Sequence, residues 1–125
     1  MMLDAIGRLF WMLDQTSEER VYRDVVAQRV RLTDREFAER FFQGHPHPEI
    51  PIAVAGVARH QLGIESLAPD DNLAAAFPDI PFEELVFDVL EELGLSAESI
   101  DLEGLDGTVA NLVNALSRFL RGTTG

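Results

Sequence analysis

The stretch FEELVFDVLEEL, residues 82–93, decides the fold of this chain. Its aliphatic residues recur three and four positions apart, which places them on one face of an α-helix. Gly94 follows directly and is typical of a helix end. The predicted inward face consists of Leu85, Val86, Val89, Leu90 and Leu93. The predicted outward face is acidic and consists of Glu83, Glu84, Asp88, Glu91 and Glu92.

The helical period continues on both sides of this segment. It predicts helices over residues 2–13, 16–31, 33–43, 50–62 and 108–121, with a short turn at 73–77. No segment has the alternation that is typical of a β-strand. The sequence therefore predicts an all-α fold, a helical bundle preceded by an N-terminal helical extension.

Hydroxyl side chains followed by acids predict where two of the N-terminal helices begin. Thr16 caps a helix that runs to about Arg31. Thr33 caps the next helix, and Glu36 follows three residues later, as in a capping box. The predicted buried side of the first of these helices consists of Val21, Val25, Val26 and Val30. The predicted aromatic face of the second consists of Phe37, Phe41 and Phe42.

A long loop is predicted over residues 64–81, between two helices. Its apolar residues are spaced along its length, so we expect the loop to pack over the core. Asp71 and Asn72 are predicted to cap the short turn at 73–77, and Gly122 to end the last helix. Ile100 is a predicted anchor of the irregular stretch from 96 to 107.

The segment His45-Pro46-His47-Pro48 is the predicted domain boundary, because two X-Pro steps within four residues do not fit a helix. It divides an N-terminal helical extension, residues 1–44, from a helical domain, residues 45–125. His45 and His47 could share a metal ion with Glu49 and His60, but no third ligand or second shell is fixed by the pattern. We favour an exposed linker here and predict no metal.

The composition excludes several classes of function. The chain has 125 residues, no cysteine, 46% hydrophobic residues and a net charge of −12. Residues 45–125 hold three arginines against fourteen acids, a net charge of −11, whereas residues 1–44 hold seven against eight, a net charge of −1. The acidic part repels nucleic acid and favours a basic protein partner. The sequence shows neither a membrane span nor a signal peptide, so we expect a cytoplasmic protein.

Residues 50–121 resemble an acyl carrier protein. The resemblance lies in VARHQLGI (57–64), LAPDDNLAAAF (67–77), DIPFEELVFDVLEELGL (79–95) and IDLEGLDGTVANLVNAL (100–116). It implies a first helix, a structured loop, an acidic second helix, a short irregular segment and a last helix. In that family the acidic helix docks onto basic patches of partner enzymes.

One departure from the family concerns the prosthetic group. A working carrier attaches 4′-phosphopantetheine to the serine of an Asp-Ser-Leu motif at the start of the acidic helix. Aligning Glu84-Leu85-Val86 with that helix places Asp79 at the serine position, and no serine occurs from 67 to 95. A carboxylate cannot replace the hydroxyl in that transfer. The resemblance therefore implies a domain without the arm and without a cofactor.

Other functions are weaker fits to the sequence. Paired acids such as Asp70-Asp71 could serve acid–base catalysis together with Asp79, but no nucleophile and base accompany them, so we do not expect an enzyme. A structural or regulatory helical protein with a coincidental carrier pattern remains an alternative. Residues 2–13 have a broad apolar surface that could complete the core or pair two copies in a homodimer. The predicted function is an interaction module that binds a basic partner through the acidic helix.

Overall fold

The computed structural model describes residues 17–96 and 102–124, and within these ranges the chain is all-α. The helices are α1 (Ser17–Ala27), α2 (Asp34–Phe41), α3 (Glu49–Leu62), α4 (Leu73–Ala76), α5 (Phe82–Glu92) and α6 (Val109–Thr124), and Leu102–Gly104 form a 3-10 turn. The described part contains no β-strand, only an isolated bridge between Asn72 and Thr108. The predicted fold class is confirmed.

Helix α3 lies at the centre of the bundle and packs against α2, α5 and α6. The period of α5 is borne out, since Leu85, Val86, Val89 and Leu90 are buried and Leu93 is half-buried. Burying such side chains stabilises the fold by about 1.5–3 kcal/mol each. The core also takes in residues from α3 and α6: Ile50, Val54, Val57, Ala58, Leu62, Val109, Leu112, Val113 and Leu116.

Phe37 of α2 belongs to this same core. The helix is held at its start by the predicted capping box: the Thr33 hydroxyl accepts from the Glu36 backbone N–H at 3.1 Å, and Glu36 accepts from the Thr33 backbone N–H at 3.0 Å. The latter hydrogen bond lowers the pKa of Glu36 below its usual value. Residues before the predicted boundary at 44 thus contribute to the core of the residues after it, while the boundary itself stays a prediction.

The prediction for α1 was wrong in two respects. The helix ends at Ala27 and not near Arg31. Its predicted buried side is largely exposed, with Val21 at 64%, Val25 at 48% and Val30 at 73%. Of the four predicted valines only Val26 packs on the core, and Tyr22, which was not predicted, packs beside it. The reason is a polar attraction that the valine spacing does not reveal, since Tyr22 and the Arg29 that follows the helix both bond to a buried acid in the 64–81 loop.

The 64–81 loop packs over the core as predicted, with Ile64, Leu67, Leu73 and Phe77 buried. Its backbone is tied to the start of α6, since the Leu73 N–H donates to Gly107 O at 2.9 Å and the Val109 N–H donates to Asp71 O at 3.0 Å. Asn72 caps α4 by accepting from the Ala75 N–H at 2.9 Å. Asp71 does not cap it, because its carboxylate is bound elsewhere.

Two further predictions concern the ends of the chain. Helix α6 continues past Gly122 to Thr124, so Gly122 does not end it as predicted. The predictions for residues 2–13, for Thr16 and for Ile100 lie outside the described residues. No helix in the described ranges is both long enough and apolar enough to cross a membrane.

Candidate functional site

The outward side of α5 carries all five acids that the sequence analysis singled out. Asp88 is half-buried, and the other four acids are exposed: Glu83, Glu84, Glu91 and Glu92. Phe87 lies among them and is 40% exposed, although it is a large apolar residue. We call these six residues the acidic face. The sequence analysis missed Phe87, whose position outside the aliphatic stripe was the available signal.

The five carboxylates of the acidic face have no counterion among the residues that the structure describes. None of the five forms an ion pair with a residue in the described ranges. Acids elsewhere do find arginines, as Asp34 does with Arg59 at 2.9 Å and Glu65 with Arg31 at 2.9 Å. Five carboxylates without an ion pair in the described ranges therefore share one helix of eleven residues.

The position of these acids along α5 also matters. Glu83 and Glu84 stand in the first turn, where the positive end of the helix dipole favours them. Glu91 and Glu92 stand at the other end, where the dipole disfavours negative charge, and the last turn has no basic residue. Two of the acids thus weaken the helix that carries them. Departures of this kind from local preference are commonest at functional sites.

A groove of about 710 Å³ lies beside the acidic face, between α3 and the second half of α5. Asp88, Glu91, Glu92 and Leu93 form its α5 side. Asp34 and Glu49 add two further carboxylates to the lining, and Arg59, His60 and Gln61 complete it. The floor is apolar and comes mainly from α3: Ile52, Ala53, Gly56 and Val57. Three of the five predicted site acids therefore border a concave surface, and Glu83 and Glu84 lie on the first turn of the same helix.

Asp79 lies in the turn directly before α5 and is exposed. The turn is closed by the Ile80 N–H, which donates to Phe77 O at 3.1 Å. No serine side chain is available within the 67–95 stretch. The residue at this position can contribute charge to a surface, and its carboxylate offers no hydroxyl for phosphopantetheine.

The histidine side chains of the segment His45-Pro46-His47-Pro48 make their polar contacts within that segment and with Glu49. The His47 backbone N–H donates to His45 Nδ1 at 3.0 Å, and His47 Nδ1 lies 3.4 Å from Glu49 Oε1. His60 is eleven residues further along α3 than Glu49, about 16 Å at the helical rise. Among the described residues no group of three or more His, Cys, Asp or Glu side chains is placed to hold a metal ion.

A buried polar cluster was missed by the sequence analysis. Asp71 is only 8% exposed, and its carboxylate accepts from Tyr22 Oη at 2.7 Å and from both terminal nitrogens of Arg29 at 2.7 and 2.8 Å. Arg29 also donates to Ser66 O at 2.9 Å. Burial, and then the hydrogen bond to Asp71 and its charge, raises the pKa of Tyr22. Both oxygens of Asp71 accept hydrogen bonds, and the cluster thereby fastens α1 and the segment after it to the loop.

Asp70 and Asp79, the other acids considered for catalysis, are both exposed on the surface. The described residues therefore bring the five predicted site acids of α5 to one surface, whereas Asp70, Asp71 and Asp79 differ sharply in burial. No protein-family model matches this chain, and comparisons with curated proteins and with solved structures likewise give no match.

Proposed function

We propose that this protein is an arm-less, acyl-carrier-like interaction module that binds a basic protein partner through the acidic face of α5. The observation that carries the proposal is the set of five carboxylates around Phe87 without a counterion among the described residues. Carboxylates crowded on one helix raise the free energy of the unbound protein by mutual repulsion. Arginine or lysine side chains of a partner would reduce this repulsion between the carboxylates.

Phe87 gives this face an apolar centre. Protein interfaces commonly combine a buried aromatic anchor with a polar rim that sets orientation and association rate. Phe87 stands four residues from both Glu83 and Glu91, so on a helix the two acids flank it. The face therefore has both components of a docking surface on one rigid element.

The carrier-like part of the proposal is supported by the order of elements. Helix α3, a structured loop, the acidic helix α5, a short segment and α6 follow one another as the resemblance implies. Asp79 directly before α5 leaves no attachment point for the arm. The proposal therefore assigns binding to this protein and assigns the chemistry to its partner.

The binding test compares two variants of equal charge. One variant neutralises Glu83, Glu84, Glu91 and Glu92 to glutamine. The control neutralises four exposed acids elsewhere, as E18Q/D24N/E39Q/D70N. Quantitative pull-down from the native cell extract should retain basic proteins on the wild type and the control and lose them on the α5 variant. Equal retention by all three proteins, or equal loss by both variants, would contradict docking through this face.

The arm-less assignment has its own test. The full chain is incubated with a phosphopantetheinyl transferase and coenzyme A, beside a working acyl carrier protein as a positive control. Intact mass spectrometry should show no mass gain for this protein. An Asp79→Ser variant tests whether the missing hydroxyl alone prevents phosphopantetheinylation. A mass gain of the wild-type chain would contradict the arm-less hypothesis.

A further inference from the structure

The groove between α3 and α5 has an electrostatic asymmetry. Asp34 and Arg59 are both at its edge and neutralise one another through their 2.9 Å ion pair. Asp88, Glu91 and Glu92 on the α5 side have no such partner in the described ranges. The α5 side is therefore the more negative, and the negative end of the α5 dipole adds to the attraction for a cation.

The floor of the groove is suited to apolar side chains. Ile52 and Gly56 of α3 are half-buried and Ala53 of the same helix is buried, so this part of the groove is low and carries no charge. Gly56 keeps α2 close, since a Cβ there would lie 3.3 Å from Asp34 Oδ2. From Glu49 to Gln61 the groove follows α3 for about 18 Å, the length of roughly three helical turns.

We propose that this groove receives a cationic amphipathic helix of the partner, with apolar side chains on the α3 floor and lysine or arginine side chains against Glu91 and Glu92. This deepens the proposed function and rests on it. A helix of about twelve residues matches the groove length and presents apolar residues at one face and basic residues beside it. A purely polar polycation would use the carboxylates and leave the apolar floor unfilled.

The probe is a pair of fluorescein-labelled synthetic peptides of twelve residues. The first carries leucines at helical spacing and lysines at their flanks. The second has the same lysines, with glutamine in place of every leucine. Binding to the full chain is measured by fluorescence anisotropy at low and at physiological ionic strength. We expect the leucine peptide to bind at least about tenfold more tightly, because only it buries apolar area.

Matched variants then locate the contact. E91Q/E92Q removes two charges from the groove, and E83Q/E84Q removes two from the first turn of the same helix, about 12 Å away. We expect E91Q/E92Q to weaken binding of the leucine peptide by about fivefold or more and E83Q/E84Q by less than about twofold. Circular dichroism checks that both variants keep the helical content of the wild type.

Each of three other outcomes would contradict the proposal that the groove binds a cationic amphipathic helix. Equal loss for the two variants would place the peptide on the whole acidic face, equal affinity of the two peptides would remove the role of the floor, and absence of binding to either would reject a cationic helix. The proposed function is decided separately, because the pull-down uses intact proteins and depends on all four exposed acids of α5. Docking through the acidic face can therefore hold even if the peptide experiment shows that the groove is not the binding site.

Discussion

Arg29 and Asp71 form a bidentate ion pair across 42 residues of sequence, with Nη1–Oδ2 at 2.7 Å and Nη2–Oδ1 at 2.8 Å. Tyr22 donates to the same carboxylate, and the Ala68 backbone N–H donates to it at 3.0 Å. The carboxylate thus binds α1, the segment after it and its own loop. This loop in turn is bonded through its backbone to α6. The cluster therefore links α1 to the 64–81 loop and, through that loop, to the start of α6.

Removing the arginine should destabilise the protein strongly. In Arg29→Met, the buried Asp71 loses two charge-assisted hydrogen bonds and keeps its desolvation cost. Because Arg29 itself is partly exposed, we expect a loss of about 2 kcal/mol in the free energy of unfolding. The control is Arg31→Met, whose pair with Glu65 is solvent-exposed and should be worth less than about 0.5 kcal/mol. Urea denaturation measures both, and equal losses would show that the Asp71 pair has no special role.

The hydroxyl of Tyr22 should make stability depend on pH in the alkaline range. Its folded pKa is raised by burial and by Asp71, so its contribution is fully present below the unfolded value of about 10 and is lost as pH rises above it. In Tyr22→Phe we expect about 1.5 kcal/mol less stability at neutral pH and a weaker alkaline decline. Tyr22 is the only tyrosine, so the near-ultraviolet tyrosinate band reports on it alone. Ionisation at the ordinary pH in the folded protein would contradict the prediction.

Charge reversal at the two ends of α5 should have opposite effects on stability. E91K/E92K places positive charge at the negative end of the helix dipole, whereas E83K/E84K places it at the positive end. We expect the first to raise, and the second to lower, the free energy of unfolding by about 0.3–1 kcal/mol per charge. Thermal unfolding followed by circular dichroism gives the difference. If the proposed docking is right, the stabilised E91K/E92K protein should also lose binding of the proposed basic partner, since stability gained at a functional site commonly costs function.

The success of the sequence analysis at α5 and its failure at α1 have one physical explanation. In α5 the apolar residues that share a face are also the ones that meet the core, so local spacing predicts burial. In α1, Val21 and Val25 lie on the exposed side, because Tyr22 and Arg29 bind a carboxylate more than 40 residues away and that contact decides which side turns inward. The groove was equally hidden, because its two sides come from α3 and α5. The five acids could be predicted from the period of a single helix. The groove that three of them border could not, because it depends on how α3 and α5 pack against each other.

Gly107 is the place where the 64–81 loop meets α6 most closely. Its φ is +91°, and a Cβ there would lie 2.5 Å from Asn72 Oδ1 and 2.7 Å from the Ala74 side chain. Gly107→Ala therefore combines backbone strain with overlap against the Asn72 cap of α4, and we expect a loss of about 3 kcal/mol. Gly94→Ala separates the two effects, because Gly94 has φ +71° with nothing within 4 Å of a Cβ, so only the strain of about 1 kcal/mol should remain. Denaturant midpoints that fall equally for both variants would mean that the loop can retreat from α6 and that the Leu73–Gly107 hydrogen bond does not hold it there.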